Sequence, residues 1–251
     1  MSHPPESPAR LIQIRDLSYR YPDGTLALHH VDFHLDRGEC VALLGANGSG
    51  KTTFVLHLNG LLEGEGAVEV CGVALDRARV DRAGLDRVRA AVGVVFQDSD
   101  EQLFMPTVLE DVAFGPLNLG LDPEAATARA RLMLERVGMT EALGKAPYHL
   151  SAGEKKRVAI AGVLAMEPEI LVLDEPTTFL DPPAQQHLTE LLKSLPQAKI
   201  IVTHDVELAG ELATRAVFFE RGRIIGEGRV DEIAARFNWS RKLGKGSPQS
   251  A

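Results

Sequence analysis

The chain has 251 residues, of which 45% are hydrophobic and 25% are charged, a composition typical of globular proteins that bury a sizeable core. Its formal net charge of −8 argues against a strongly basic nucleic-acid-binding protein. The longest uninterrupted apolar stretch, residues 158–166, reaches about half of the roughly 18 residues that a membrane-spanning helix requires, so we expect no membrane span.

The two ends of the chain and its two cysteines indicate where the folded part lies and in which compartment. Residues 1–10 contain three prolines and lack the apolar stretch of a secretory signal, so we expect a flexible arm. Residues 242–251 are predicted to form a flexible tail. Cys40 and Cys71 stand singly in apolar segments, which favours buried thiols of a cytosolic protein over a disulfide or a zinc site.

Two kinds of strand are predicted along the chain. Residues 11–21, 31–35 and 67–73 alternate apolar with polar side chains, as half-buried antiparallel strands do. Almost fully apolar segments predict buried strands of a parallel sheet; they cover residues 41–44, 92–96, 170–173 and 200–202. The sequence therefore predicts an α/β fold with a smaller antiparallel sheet beside the parallel one. A hairpin is also predicted around the turn at residues 221–223.

A phosphate-binding loop is predicted directly after the first apolar strand. Residues 45–52 match G-x-x-x-x-G-K-[ST] between a strand and a helix, which an ordinary glycine turn seldom does. We expect Lys51 to reach the β- and γ-phosphates of a nucleotide, Thr52 to offer its hydroxyl to Mg²⁺, and Thr53 to donate to the α-phosphate. The predicted nucleotide-binding residues of this loop are Gly45, Ala46, Asn47, Gly48, Ser49, Gly50, Lys51, Thr52 and Thr53.

The segment between the second and third apolar strands, residues 97–166, is predicted to be helical. Asp122 is expected to cap a helix that has Pro123 at its first position, with Ala125, Ala128 and Leu132 at helical spacing.

A second helix is predicted to follow Ser151, and its start has two compatible interpretations. Ser151-x-x-Glu154 is a capping box. The serine hydroxyl, the Gly153 backbone and the free amides of the same helix start can also bind phosphate. The sequence leaves open which nucleotide they contact.

Two carboxylates end the third apolar strand. Asp174 and Glu175 are predicted to lie at the carboxyl edge of the parallel sheet, where ligands of open α/β sheets bind. Strand ends often carry a solvated acid without a chemical role, but the upstream phosphate loop favours one here. Asp174 suits metal binding, and Glu175 suits orienting or deprotonating an attacking water.

The order of these motifs resembles that of the nucleotide-binding subunits of ABC transporters. The phosphate loop is followed by an LSGGQ-type signature at residues 150–154, by the strand that ends at Glu175, and by His204 after the last apolar strand. The resemblance implies ATP hydrolysis on a P-loop NTPase (RecA-like) parallel-sheet core with an antiparallel β subdomain. The core would comprise residues 11–96 and 167–241, and an inserted helical subdomain residues 97–166.

The resemblance also implies roles for single residues. Gln97 would lie in a loop that contacts Mg²⁺ and the helical subdomain, and His204 would contact the γ-phosphate. Tyr21, with Tyr19 as the other candidate, would stack on adenine. Asp181 would sense a second ATPase subunit, identical or paralogous. The signature residues of this chain would contact the nucleotide that the second subunit holds; they are Ser151, Ala152, Gly153 and Glu154.

Residues 96–104 and 106–121 show a narrower resemblance, to the ATPases of energy-coupling-factor importers, especially the cobalt and nickel type. This implies a peripheral protein at the cytoplasmic face of the cell membrane, with a transmembrane coupling subunit and a substrate-binding membrane subunit as partners. Four apolar residues of this region either line the groove that receives the coupling subunit or belong to the subdomain core: Leu103, Phe104, Val108 and Phe114.

Departures from the family pattern leave more than one function open. Ala152 and Glu154 replace Gly and Gln of the signature, and Thr178 and Phe179 replace Ala and Gly before Asp181. Slow turnover or a non-hydrolysing regulatory module would follow if these changes disturb the site. The sequence is also compatible with a soluble ABC-fold ATPase acting on nucleic acid or ribosomes, and with the ATPase of a vitamin importer. We expect an active ATPase without a nucleic-acid partner.

Overall fold

The structure is a computed structural model that describes residues 10–76 and 80–239. The predicted tail lies outside the described residues, and so does the predicted arm except for Arg10. Arg10 already belongs to the first strand, so the arm prediction is wrong at this residue. Among the described helices, none combines the length and the apolar character that a membrane span needs.

The strands and helices alternate along most of the chain. In chain order they are β1 (Arg10–Arg20), β2 (Leu26–Asp36), β3 (Cys40–Leu44), α1 (Lys51–Leu58), β4 (Glu65–Val70), β5 (Val73–Ala74), α2 (Arg82–Ala91), β6 (Val92–Val95), α3 (Val108–Asn118), α4 (Pro123–Arg136), α5 (Ala152–Leu164), β7 (Ile170–Asp174), α6 (Pro182–Ser194), β8 (Ala198–Val202), α7 (Val206–Leu212), β9 (Arg215–Glu220), β10 (Arg223–Gly228) and α8 (Val230–Arg236). Short 3₁₀ turns cover Ser99–Glu101, Thr140–Ala142 and Pro147–His149.

The antiparallel sheet has the strand order β2-β1-β4-β5. The predicted strand over residues 67–73 is wrong at its end, because Cys71 and Gly72 form a turn between β4 and β5. Both turn residues have positive φ, 48° and 75°, which suits a two-residue hairpin turn. The prediction that both cysteines are buried holds for Cys40, but Cys71 is only half-buried in this turn.

The second sheet has the order β10-β9-β3-β8-β7-β6. All four predicted apolar strands, β3, β6, β7 and β8, pair in parallel within it. The predicted hairpin is also confirmed, since β9 and β10 pair in antiparallel fashion around Arg221 and Gly222. Strand β3 lies between β8 and β9, so the loop that follows it emerges near the middle of the sheet.

Helices α3, α4 and α5 lie between β6 and β7 in the chain and pack on one face of the parallel sheet. Their apolar residues share one buried cluster with sheet residues such as Leu171 and Leu173 and with Leu192 of α6. The helical segment and the sheet are therefore held by a common core. The subdomain boundaries stay a prediction.

The predicted cap, first residue and helical spacing of α4 are all confirmed. Asp122 accepts hydrogen bonds from the amides of Glu124 and Ala125, and Pro123 is the first helical residue. Ala125, Ala128 and Leu132 are exposed, whereas the buried positions are Ala126, Ala130 and Leu134. Alanines occur on both faces of this helix, so the packing against α3 and α5 decides which face is buried.

The contact between β6 and α5 gives a first prediction. A Cβ at Gly93 would lie 2.2 Å from Cγ1 of Val163, so Gly93→Ala should lower the free energy of unfolding by about 1–3 kcal/mol. Gly162→Ala is the control within α5, because the nearest atom to its Cβ is 4.0 Å away. It should raise stability by about 0.5–1 kcal/mol. Urea unfolding of both variants measures the difference, and equal effects would contradict this packing.

Candidate functional site

A cavity of about 480 Å³ opens where β3 and β7 end. It brings the loop after β3 together with Gln97, Asp174 and Glu175, which are far apart in the sequence. The lining residues are Tyr21, Thr25, Leu26, Ala27, Asn47, Gly48, Gly50, Lys51, Thr52, Thr53, Gln97, Asp174, Glu175, Val202, Arg221 and Gly222. The predicted phosphate loop, metal ligand and water-activating acid thus face the same space.

Two glycines of the loop between β3 and α1 lie where a side chain would be strained and would clash with the backbone. Gly45 has φ 140°, and a Cβ there would lie 2.3 Å from the backbone oxygen of Phe219. Gly50, just before α1, has φ 109°, and its Cβ would lie 2.7 Å from the oxygen of Ala27. The loop therefore fits closely between β2 and the end of β9.

Lys51 is buried, and its ammonium is turned back into this loop. Its Nζ donates to the backbone oxygens of Gly45 at 2.7 Å and Ala46 at 2.9 Å, and lies 3.3 Å from Oγ of Ser49. Burial lowers the pKa of Lys51, and the nearby carboxylates of Glu175 and Asp174 act in the opposite direction. The loop thus holds a cation among its own carbonyls, next to the amides at the start of α1.

The first turn of α1 connects the loop to the predicted adenine side. The hydroxyls of Thr53 and Tyr21 lie 3.0 Å apart and form a hydrogen bond, while Thr52 is exposed to the cavity. Tyr19 does not line the cavity; its ring packs edge-on against Tyr21 at 5.0 Å and against His57 at 4.9 Å. Of the two candidates, the structure places Tyr21 at the cavity and Tyr19 behind it.

Asp174 and Glu175 have different surroundings. Burial raises the pKa of Asp174, and the neighbouring Glu175 adds to this, whereas Lys51 and Lys156 lower it. Glu175 is buried, and its Oε2 lies 2.8 Å from Nδ1 of His204 and 3.4 Å from Oγ1 of Thr203. Its φ of 44° is unusual for a side chain of this size. His204 and Thr203 therefore fix the direction of the Glu175 carboxylate.

The oxygen groups around this cavity suit a magnesium ion. Thr52 supplies a hydroxyl, Gln97 an amide and Asp174 a carboxylate, and Mg²⁺ prefers such oxygen ligands. The raised pKa of Asp174 reflects a buried carboxylate beside a second acid, a place where a bound cation would be stabilised.

The signature residues lie at a second cavity, of about 420 Å³, between the starts of α5 and α6. Ser151, Ala152, Gly153, Glu154 and Asp181 all line it, and none of them lines the cavity at the phosphate loop. Within one chain, the two halves of the predicted site do not meet.

The capping box predicted at Ser151 is present. Oε2 of Glu154 accepts from the Ser151 amide at 2.8 Å and from its hydroxyl at 2.9 Å. Asp181 caps α6 by accepting from the Ala184 amide at 2.9 Å. Phe179 lines this second cavity and is 79% exposed. Its φ is 67°, so the backbone adopts the left-handed conformation there even though the residue is not glycine.

Two residues of the site are not evident from the sequence. Arg221 lines the phosphate-loop cavity, although the sequence indicates only a hairpin turn there. Lys156 lies near the start of α5, and its ammonium donates to the backbone oxygens of Phe96 and Gln97. The sequence offers one signal for each residue. Arg221 is a charged residue in a hairpin turn, and Lys156 is a lysine directly before the apolar part of a helix.

An apolar groove of about 620 Å³ separates α2, α3 and α5. Leu103, Phe104 and Phe114 line it, which matches the first of the two alternatives, and the rings of Phe104 and Phe114 pack edge-on at 5.0 Å. Phe104 is 63% exposed and Phe114 40% exposed. Val108 is fully buried, which matches the second alternative, a residue of the subdomain core. Val108 begins α3, where its side chain is needed in the core.

Comparison with known proteins gives consistent matches over most of the chain. A family model described as ABC transporter matches residues 28–178. The chain is 51% identical to a protein of Gloeobacter violaceus named as an ABC transporter ATP-binding protein, over 88% of this chain and 90% of that protein. It is 49% identical to the energy-coupling factor transporter ATP-binding protein EcfA of Methanothermobacter thermautotrophicus, over 89% of this chain and 72% of that protein.

Solved structures give the same result. The structure of cbiO1 from Clostridium perfringens, described as part of the ABC transporter complex cbiONQ, matches with a TM-score of 0.81 and 38% identity, over 91% of this chain and 92% of that chain. An ATP-binding cassette solved as a dimer in a post-hydrolysis state with ADP and Pi matches with a TM-score of 0.77 and 28% identity, over 87% and 98% of the two chains. These matches confirm the predicted α/β P-loop fold class.

Proposed function

Because the chain belongs to the ABC transporter family, we propose that it is the ATPase subunit of an importer of the energy-coupling-factor type. The chain binds ATP and is an ATPase subunit of a transporter. Relatives at 51% and 49% identity are named as transporter ATP-binding proteins, which favours a transporter subunit over a soluble ABC-fold ATPase that acts on nucleic acid or ribosomes.

One observation carries the proposal, namely the single cavity that joins the phosphate loop to Gln97, Asp174 and Glu175. A triphosphate held by the loop amides and Lys51 would place its γ-phosphate beside these three side chains. Thr52, Gln97 and Asp174 would hold Mg²⁺. When bound, this ion would neutralise charge on the β- and γ-phosphates.

Glu175 and His204 are proposed to act together on the attacking water. Glu175 would accept the water proton as the water oxygen bonds to the γ-phosphorus and the bond to the ADP oxygen breaks. His204 holds the carboxylate through Nδ1, at 2.8 Å, which leaves its other ring nitrogen for the γ-phosphate. Tyr21 would stack on adenine, and its hydrogen bond to Thr53 fixes it relative to the phosphate loop.

The second cavity supports a working dimer. Its residues Ser151 to Glu154 and Asp181 are proposed to contact the nucleotide bound by another ATPase subunit, either a second copy of this chain or a paralogue. The Ser151 hydroxyl, the Gly153 backbone and the first amides of α5 present donors for a phosphate there. Two composite sites would then form only when the subunits face each other.

The groove between α2, α3 and α5 is proposed to dock the transmembrane coupling subunit. A pair of exposed aromatic side chains that line an apolar groove is typical of interaction sites. A substrate-binding membrane subunit would complete the assembly, with this chain peripheral at the cytoplasmic face of the cell membrane. Cobalt or nickel is the proposed cargo, and a vitamin is the alternative.

Phe104→Glu tests the docking proposal. It should weaken copurification with the transmembrane coupling subunit by about tenfold or more, because a carboxylate would be buried against an apolar partner surface. Basal ATPase activity of the separate chain should stay within about twofold, since Phe104 lies outside the nucleotide cavity. Leu132→Glu is the control, because Leu132 is 58% exposed on α4 but does not line the groove. Equal loss for both variants would contradict the assignment.

Transport assays test the cargo. The chain would be coexpressed with its membrane subunits, and the purified complex would be analysed for bound metal and reconstituted for uptake of radiolabelled cobalt, nickel or a vitamin. ATP-dependent uptake of cobalt or nickel would support the proposal. Uptake of only a vitamin would overturn the metal cargo while keeping the importer type.

A further inference from the structure

Two lysines near the start of α5 hold the loop that carries Gln97. Lys156 is 3% exposed, and its ammonium donates to the backbone oxygens of Phe96 at 2.9 Å and Gln97 at 2.8 Å. Lys155 places its Nζ 2.6 Å from Oδ1 of Asp100. The segment 96–100 is therefore attached to α5 at two points.

Helix stability does not explain these cations. Helix α5 begins at Ala152, so both lysines lie near its N-terminus, where the helix dipole disfavours positive charge. Burial also lowers the pKa of Lys156 to about 8, against the effect of Asp174 and Asp98. The loop carbonyls compensate the buried ammonium, and the ammonium in turn fixes the loop.

The same segment reaches the groove on its other side. Oε1 of Gln102 accepts from the Phe96 amide at 2.8 Å, and Nε2 of Gln102 donates to the Val94 oxygen at 3.0 Å. Gln102 lines the groove, whereas Gln97 lines the nucleotide cavity. Residues 96–102 therefore connect both cavities, and Lys156 ties this connection to the helix that carries the signature.

We propose that Lys156 is a positioning residue for ATP hydrolysis, which holds Gln97 in place relative to the helix that begins with the signature. Lys155 supplies the outer attachment of the same loop. This inference rests on the proposed role of Gln97 in hydrolysis. Lys156 does not line the nucleotide cavity, so its effect falls on turnover and not on ATP binding.

Lys156→Met tests the attachment, because it keeps the length of the side chain and removes its donor. Amide hydrogen exchange of residues 96–103 in the nucleotide-free protein should speed up by about tenfold or more. In the ATPase assay, kcat should fall by about tenfold or more, while KM for ATP stays within about twofold. Unchanged exchange in this segment would overturn the proposal.

Lys199→Met is the matched control. Lys199 is also buried, and its Nζ donates to two backbone oxygens, those of Leu195 at 2.6 Å and Gln197 at 2.9 Å, at the amino end of β8. The control should lower Tm as Lys156→Met does, but leave exchange at residues 96–103 and kcat unchanged. A similar fall in kcat in Lys199→Met would show that the effect of Lys156→Met comes from a general loss of stability, and this would overturn the proposal.

A double variant separates this inference from the proposed function. If Lys156 acts through Gln97, the variant with Gln97→Ala and Lys156→Met should hydrolyse ATP no more slowly than Gln97→Ala alone. Multiplied losses would overturn the inference. Unchanged kcat in Gln97→Ala would instead refute the proposed role of Gln97, while hydrogen exchange would still decide whether Lys156 holds the loop.

Lys155→Met keeps the test decisive if Lys156→Met does not fold. It removes the charged contact to Asp100, whose side chain is 65% exposed, and keeps an unbranched aliphatic side chain at the partly buried position 155. Exchange at residues 96–103 should rise, by less than in Lys156→Met. An unchanged exchange rate in this variant would count against attachment of the loop through α5.

Discussion

Replacing Glu175 with glutamine should abolish most ATP hydrolysis while leaving ATP binding and dimerisation intact. Glutamine keeps the size of the side chain and can still accept a hydrogen bond from Nδ1 of His204, which lies 2.8 Å from the Glu175 carboxylate. It cannot accept the proton of the attacking water. We expect kcat to fall by about 10²–10⁴-fold, with the Kd for ATP within about threefold of the wild-type value.

The control for this variant is Glu167→Gln. Glu167 shares the left-handed backbone of Glu175, with φ values of 56° and 44°, but its side chain is 70% exposed and pairs with Arg129. The control therefore measures any general effect of a Glu→Gln substitution at a left-handed position. Its kcat should stay within about twofold of the wild-type value. Turnover of Glu175→Gln near the wild-type rate would refute Glu175 as the base.

Replacing Lys51 with alanine should weaken ATP binding by about two orders of magnitude. The ammonium lies among the loop carbonyls of Gly45 and Ala46 and is available to the β- and γ-phosphates when a nucleotide enters. Charge-assisted hydrogen bonds of this kind contribute about 1.5–3 kcal/mol each. Titration calorimetry would measure the change in Kd, and the rise in Tm caused by ATP should shrink accordingly.

Lys199→Ala is the control for this prediction. It also removes a buried ammonium that donates to two backbone oxygens, but it lies away from the nucleotide cavity. Both variants should lose stability without ligand, whereas only Lys51→Ala should lose ATP affinity. An unchanged Kd for ATP in Lys51→Ala would count against the phosphate loop as the binding site.

Local signals predict the parts of this site that depend on neighbouring residues in the chain. The motif at residues 45–52 is contiguous, and β3 and β7 are apolar up to their last residues, so both the loop and the carboxylate pair are placed at the correct edge of the sheet. The capping box at Ser151 follows from a spacing of three residues within one helix turn.

Features that depend on packing between distant segments are missed or misplaced. Arg221 reaches the cavity only because β9 pairs with β3, more than 170 residues away. The sequence does not indicate the buried face of α4, because alanines on both sides give no contrast in hydrophobicity. The role of Lys156 is hidden because a lysine near a helix start is usually solvated. In each case the position of the side chain depends on the segment that it packs against, which lies elsewhere in the sequence.

Because β3 lies between strands that come much later in the chain, the phosphate loop is synthesised well before the strands that support it. Both neighbours of this strand, β8 and β9, are synthesised more than 150 residues after it, and the Gly222 amide that bonds to the Ser49 oxygen at 2.8 Å comes later still. A chain emerging from the ribosome therefore carries its phosphate loop early, without the scaffold that shapes it. Products that stop before the hairpin of β9 and β10 lack both β9 and the Gly222 contact, so we expect them to retain ATP poorly.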